Sequence, residues 1–150
     1  MKMNHPLYVQ QAVAQLEKIL KQDDSRALER LMRLSRGEIY ALKILAGAGD
    51  SLTATCLAHE LRTTKARVTA LVRSLEKKGY VWRVPDEKNR RQVNLSLSPA
   101  GRRYLIGVLE ESYAVFAAGF EALGEDESRQ FLELTERFFT AMKEKEAQTR

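Results

Sequence analysis

Gly79-Tyr80-Val81-Trp82-Arg83-Val84-Pro85-Asp86-Glu87-Lys88-Asn89-Arg90-Arg91-Gln92-Val93-Asn94-Leu95-Ser96-Leu97 is the stretch whose reading decides the fold. Its two ends, Gly79 to Val84 and Gln92 to Leu97, alternate apolar and polar residues, and a short polar loop joins them. Paired runs of period two with such a connection predict a β-hairpin. The loop from Pro85 to Arg91 is more basic than a connector needs, because Arg90 and Arg91 repel one another unless an anion sits between them. A helical segment ending in Lys77-Lys78-Gly79 leads straight into the first strand. Helix, hairpin and charged loop in that order are the parts of a winged helix-turn-helix, which offers one helix to the major groove of DNA and a wing to the minor groove.

Charge supports this placement. The chain of 150 residues carries +5 overall, but residues 62–103 hold +9 and the remainder −4. A basic centre between acidic ends is the footprint of one face that meets phosphates, although charge alone also fits a solvated basic surface. Composition is that of one globular domain, 44% hydrophobic and 30% charged with 3 prolines, so residues 1–150 are expected to form a single unit. No stretch approaches the roughly 18 apolar residues of a membrane span, and Met1 to Pro6 lacks the apolar run of a signal peptide. A single cysteine fits a reducing cytoplasm, where we expect the protein to reside.

Outward from the hairpin, helical spacing continues on both sides. Residues 7–22 carry Leu7, Val9, Ala12, Val13, Leu16, Ile19 and Leu20, entered through Pro6. A short helix follows near Arg26 to Arg33, with Asp23-Asp24 suited to its start. Ser35 and Glu38 have capping-box spacing and predict a helix buried through Ile39, Leu42, Ile44 and Leu45, ended by Gly47-Ala48-Gly49-Asp50. Thr53 can cap a short helix with Leu57, Ala58 and Leu61; Thr63 or Thr64 can cap the next, running to about Lys78. There Val68, Leu71, Val72 and Leu75 share one face, while Ala66, Thr69, Ala70, Arg73 and Lys77 lie opposite or beside it. Small residues let a helix approach base edges and basic ones reach phosphates; Glu76 is the only acid among them. Ser98-Pro99 opens a helix with Tyr104, Leu105, Val108, Leu109, Tyr113, Phe116 and Phe120, ending at Gly124. A last helix, about Glu125 to Glu146, buries Phe131, Leu132, Leu134, Phe138, Phe139 and Met142, with fraying from Lys143 onward.

Such apolar terminal helices exceed what a unit spanning about 34–97 can cover. They either cap it within one chain or pair with a second chain, and a two-fold dimer is the reading we favour. It would set two reading helices in successive major grooves.

Other chemistry is sparse. Cys56, His59 and Glu60 share one side of a short helix, but without a CxxC or HxxxH pair they do not make a zinc site. We expect no metal or cofactor, and a buried, inert Cys56, with a redox-responsive thiol as the alternative. No nucleophile with a base, Gly-rich phosphate loop or acidic pair argues for an enzyme.

From Leu34 to Leu105 the sequence resembles the MarR family of bacterial transcription regulators. The matching residues are Leu34-Ser35-Arg36-Gly37-Glu38-Ile39, Leu57-Ala58 with Leu61, Val68-Thr69 with Leu71-Val72, and Leu75-Glu76-Lys77-Lys78-Gly79-Tyr80-Val81 with Arg83. Asp86, Arg90-Arg91, Leu97-Ser98 and Gly101-Arg102 complete the set. The resemblance implies a mainly α fold with a β-hairpin wing. It also implies dimerisation through helices at about 7–22 and 99–146, and a recognition helix at 64–78. Many members bind a small, often aromatic effector in a cleft between the dimerisation helices and the DNA-binding lobe; Tyr104, Tyr113, Phe116 and Phe120 are candidates to line one. Two positions depart from the family: Ala70 stands where an arginine is usual, with Arg67 a turn earlier, and Asn89 replaces a common aspartate of the wing.

The function expected is a cytoplasmic homodimeric regulator, a ligand-released repressor on a pseudo-palindromic operator in double-stranded DNA. Arg62, Lys65, Arg73, Lys77 and Lys88 would neutralise phosphates, and Ala66, Arg67 and Thr69 would meet bases. Thr63 and Asn89 would complete the contact surface, and Arg90 and Arg91 would enter the minor groove. The rival is a winged-helix module that binds an acidic protein.

Overall fold

The structure, a computed structural model, describes residues 5–22, 26–49, 52–86 and 93–149. In chain order these form α1 (Leu7–Lys21), α2 (Ala27–Ser35), α3 (Gly37–Ala48), β1 (Leu52–Thr53), α4 (Ala54–Glu60), α5 (Lys65–Lys77), β2 (Val81–Pro85), β3 (Val93–Leu97) and α6 (Pro99–Gln148). The fold is mainly helical with a small antiparallel sheet, as the spacing of apolar residues predicts. Two expectations from the sequence fall outside the described residues: Asp23-Asp24 as a helix start, and the loop tip carrying Lys88, Asn89, Arg90 and Arg91. The chain divides into two compact units, Met1–Leu105 and Ile106–Arg150.

In the first unit the hairpin pairs Val81 with Leu97 and Pro85 with Val93. A third strand, unanticipated, puts Leu52 opposite Leu95 and Thr53 opposite Asn94. Two residues are too few to show a period, and Thr53 already reads as a helix cap. The order β1-β3-β2 makes β3 the central strand, which is why Asn94, Leu95, Ser96 and Leu97 are all buried whichever way they point. Leu95 and Leu97 join Val81, Ile39, Leu42, Leu45, Leu57, Val68, Val72, Leu75 and Leu105 in the core. Ile44, expected there, is only half-buried.

Three helix starts follow their capping signals. Thr53 Oγ1 accepts from the Cys56 amide and Thr64 Oγ1 from the Arg67 amide, and Ser98 Oγ accepts from the Gly101 amide at 2.9 Å. The capping box at Ser35 and Glu38 does not form. Ser35 is the last residue of α2, its hydroxyl donates back to the Leu31 carbonyl, and Arg36 is the N-cap of α3. The preceding helix, too short to show its end in the sequence, claims the serine first.

α5 ends in a Schellman turn. Gly79, at φ 73°, donates to the Glu76 carbonyl, and Tyr80 donates to the Leu75 carbonyl. The Tyr80 carbonyl accepts from the Ser98 amide at 2.9 Å, and the Ser98 hydroxyl donates to the Gly79 carbonyl at 2.6 Å. Gly101 lies so close to this joint that a Cβ there would stand 2.1 Å from the Tyr80 oxygen. The Tyr80 and Tyr104 rings stack over it, with centroids 4.4 Å apart.

In the second unit α6 breaks at Gly124, where φ is 75°, as the sequence anticipates. The Ser128 hydroxyl donates to the Phe120 carbonyl across the break, and Phe120 meets Phe131 edge to face. The helix continues to Gln148, so fraying from Lys143 is not seen. In the single chain the apolar residues of the last helix, Phe131, Leu132, Leu134, Phe138, Phe139 and Met142, are all exposed. α1 likewise buries nothing, and Leu7, Tyr8 and Ile19 are more than half exposed. Within its own unit neither stripe is covered by the described residues. Among those residues, too, no helix is long and apolar enough to cross a membrane.

Gly101→Ala drives a methyl into backbone that cannot retract, so the variant should lose about 3 kcal/mol or more, at the upper end of overpacking costs. Urea denaturation of the purified variant checks this; a loss below about 1 kcal/mol would show the joint to be slack.

Candidate nucleic-acid interface

Successive residues of a helix are turned by about 100°, and this divides α5 into four sides. Val68, Val72 and Leu75 are buried in the core, with Leu71 half-buried beside them. Opposite them, Ala66, Ala70, Arg73 and Lys77 are exposed. The side bearing Lys65, Thr69 and Glu76 faces the hairpin, because the Arg83 Nε of β2 donates to Glu76 Oε1 at 2.8 Å. The side bearing Arg67, Leu71 and Ser74 faces α3, because Ser74 donates its hydroxyl to Glu38 Oε1 at 2.7 Å.

Glu38 therefore anchors the helix instead of capping its own. Its second oxygen meets Lys78 Nζ at 2.5 Å. Burial works against the charged carboxylate, but the hydrogen bonds from Lys78 and Ser74 and the Lys78 charge outweigh it and hold Glu38 below the ordinary value of 4.5. The same hydrogen bond raises Lys78 above 10.5. Sequence reasoning missed Glu38, Ser74 and Arg83 as partners. The first pair is separated by 36 residues, and local spacing cannot reveal it.

The residues expected to meet DNA are distributed as follows. Arg62, Lys65, Ala66, Arg67, Thr69, Arg73 and Lys77 are exposed and Thr63 is half-buried. The side chains of Arg62, Lys65, Arg67, Arg73 and Lys77 have no ion-pair or hydrogen-bond partner among the described residues. Thr69 donates its hydroxyl to the Lys65 carbonyl at 2.9 Å, leaving its lone pairs and methyl free to meet a base. Arg62, Thr63 and Arg67 come together with Arg36 around one recess beside α3. At the root of the hairpin, Asn94 Nδ2 donates to Asp86 Oδ2 at 3.0 Å. The loop residues Lys88, Asn89, Arg90 and Arg91 stay outside the described residues.

Residues 34–92 match a model of the MarR family. Over that stretch the chain is similar to the MarR family of transcription regulators. It is 28% identical over 102 residues to the HTH-type transcriptional repressor YetL of Bacillus subtilis, an alignment covering 67% of this chain and 61% of that protein. The chain thus spans less than two thirds of that relative. The fold is that of YusO from B. subtilis, at 23% identity and a TM-score of 0.69, covering 89% of this chain and 96% of the other. It is also that of a Staphylococcus aureus MepR variant bound to an oligodeoxyribonucleotide, at 22% identity and a TM-score of 0.55, covering 87% and 97%. MarR proteins are transcription regulators and not enzymes.

Two expectations about chemistry are refined within the MarR frame. Cys56 is exposed on α4 and not buried, since the apolar side of that short helix is taken by Leu57 and Ala58. Of the four aromatics considered for an effector cleft, Tyr113, Phe116 and Phe120 line a recess of about 500 Å³ in the second unit. Tyr104 stacks on Tyr80 in the first.

Because Glu38 is depressed in the folded state, its contribution is fully present above its unfolded value near 4.5 and is lost as pH falls through the lower folded value. Glu38→Gln should cost about 1–2 kcal/mol at neutral pH, discounted for partial exposure. The gap between variant and wild type should close as pH drops below 4.5. Urea midpoints at a series of pH values check this; a constant gap would mean that packing, not charge, carries the effect.

Proposed function

We propose that the protein is a sequence-specific, double-stranded DNA-binding transcription regulator, acting in the cytoplasm as a homodimeric repressor on a pseudo-palindromic operator. The observation that carries this reading is the exposed side of α5. It presents small and basic residues whose charges have no protein partner among the described residues, while the one acid of the helix, Glu76, is engaged by Arg83. Ala66, Ala70 and Thr69 allow close approach to base edges. Arg62, Lys65, Arg73 and Lys77 neutralise phosphates, and Lys88, Asn89, Arg90 and Arg91 extend the contact into the minor groove. An acidic protein partner is less well served, because that side of α5 has none of the aromatics enriched at protein interfaces.

The uncovered stripes of α1 and α6 support the dimer: residues about 7–22 and 99–146 from two chains would cover one another, and 1–150 would act as one MarR-like domain. A small-molecule effector would release the repressor only by binding the non-operator arrangement better. Sedimentation equilibrium at micromolar concentration should give twice 17.1 kDa; a folded monomer under those conditions would exclude a two-half-site operator.

DNA fragments selected by the purified protein supply the operator for the direct test. On it Thr69→Ala should lose about 1–3 kcal/mol and relax base preference. Lys77→Ala should weaken all sequences alike and reduce the salt slope by about one for each phosphate no longer neutralised. Equal losses on specific and random DNA for Thr69→Ala would remove it from base readout.

A further inference from the structure

A recess of about 540 Å³ lies beside the reading helix, lined by Ser35, Arg36, Gly37, Tyr40, Leu61, Arg62, Thr63, Arg67 and Leu71. Three features set it apart. Its three charged residues are all arginines, brought from the α2–α3 junction, the α4–α5 turn and the first turn of α5. None of them has an ion-pair or hydrogen-bond partner for its side chain among the described residues. Exposure is graded: the arginines stand on an exposed rim, while Tyr40, Leu61, Thr63 and Leu71 form a half-buried floor.

The third feature is the backbone at Arg62. α4 ends in a Schellman turn, with Arg62 donating to the His59 carbonyl and Thr63 to the Ala58 carbonyl. Arg62 thus takes the left-handed position, at φ 48°, that such turns reserve for glycine. Local stability favours glycine there. The arginine holds a guanidinium at the recess instead.

We propose that the three arginines clamp a backbone phosphate of bound DNA, with Arg36, outside the helix-turn-helix, as a direct contact. This rests on the DNA-binding reading and changes one assignment within it: Arg67, on the side of α5 that faces α3, acts as a phosphate clamp and not as a base reader. Planar guanidinium groups suit a phosphodiester because each can donate two parallel hydrogen bonds to its oxygens. An exposed rim also favours a polyanion over a free small anion. Charges in open solvent hold a single ion weakly, whereas each one placed on DNA releases condensed counterions. The half-buried floor of Tyr40, Leu61 and Leu71 sets the depth to which the backbone can enter.

The test uses the full-length protein on its selected operator and on random duplex, between about 50 and 200 mM salt. Arg36→Ala should lower the salt slope by about 0.9 for each phosphate it ceases to neutralise, so that wild type loses roughly 3- to 4-fold more affinity than the variant across that range for each one. The loss should be equal on both DNAs, and Arg36→Lys should restore the slope. Arg62→Gly removes the left-handed strain, so its melting temperature should rise while its slope falls as for Arg36→Ala; a misfolded variant could not give that pair of results. An unchanged slope in Arg36→Ala, with wild type binding normally, overturns the clamp and leaves the DNA-binding reading standing. Wild type that binds no duplex at all overturns both. A final arm adds benzoate against matched chloride. If benzoate displaces DNA from wild type but not from Arg36→Ala, the recess is a small-anion site and the phosphate clamp is wrong.

Discussion

The position of the reading helix depends on a contact that contains no side chain on one of its two sides. The Tyr80 carbonyl receives the Ser98 amide, and Gly101 packs where no Cβ fits. That joint fastens the C-terminal end of α5 to the first turn of α6 through backbone atoms, which cannot change rotamer to absorb a displacement. Two side-chain ties act nearby: Glu38 to Ser74 and Lys78 on one side of the helix, and Glu76 to Arg83 on the other. All three lie in the last turn of α5 or just beyond. The N-terminal half is held by its apolar side and by the Thr64 cap. Fixing a helix by its far end leaves the near end clear of protein, which is the geometry a groove requires.

The same arrangement accounts for the electrostatics. A DNA-facing surface must be basic, yet a domain of this size needs acidic groups for local ties. Glu38 and Glu76 are both close to the basic side, and each is turned away from it by a specific cationic partner, Lys78 or Arg83. Arg73 and Lys77 therefore keep their charges unpaired among the described residues. This selective pairing, more than the total of +5, makes one side of α5 suitable for phosphates.

Legibility in the sequence followed the range of the interactions. The hairpin, the buried side of α5, the caps at Thr53, Thr64 and Ser98 and the break at Gly124 all rest on residues within a few positions of each other, and these were readable. Ser35 and Glu38 satisfied a local rule and still did something else, because α2 supplied a competing carbonyl for Ser35 and α5 a distant cation for Glu38. β1 was hidden by its length, and the exposure of Cys56 by a helix too short to show a clear period. The exposed side of α5 was legible by subtraction from the apolar side, but the meeting of Arg36 with Arg62 and Arg67 around one recess was not. Nothing local connects Arg36 to the other two; only the packing of α3 against α5 does.

Arg62 shows where local and functional demands part. A sequence folds reliably when its local choices agree with the global structure, and departures concentrate at sites kept for another purpose. Glycine fills the equivalent left-handed Schellman position after α5, at Gly79, while Arg26 before α2 shares the positive φ of Arg62, at 54°. At the turn of the helix-turn-helix the chain carries an arginine, in a conformation that costs a side-chain-bearing residue about 1–2 kcal/mol. Neither the core nor any protein partner among the described residues uses that charge. On the clamp proposed above, the benefit lies outside the chain, in a negative ligand that approaches along the exposed side of α5 within reach of Arg36 and Arg67.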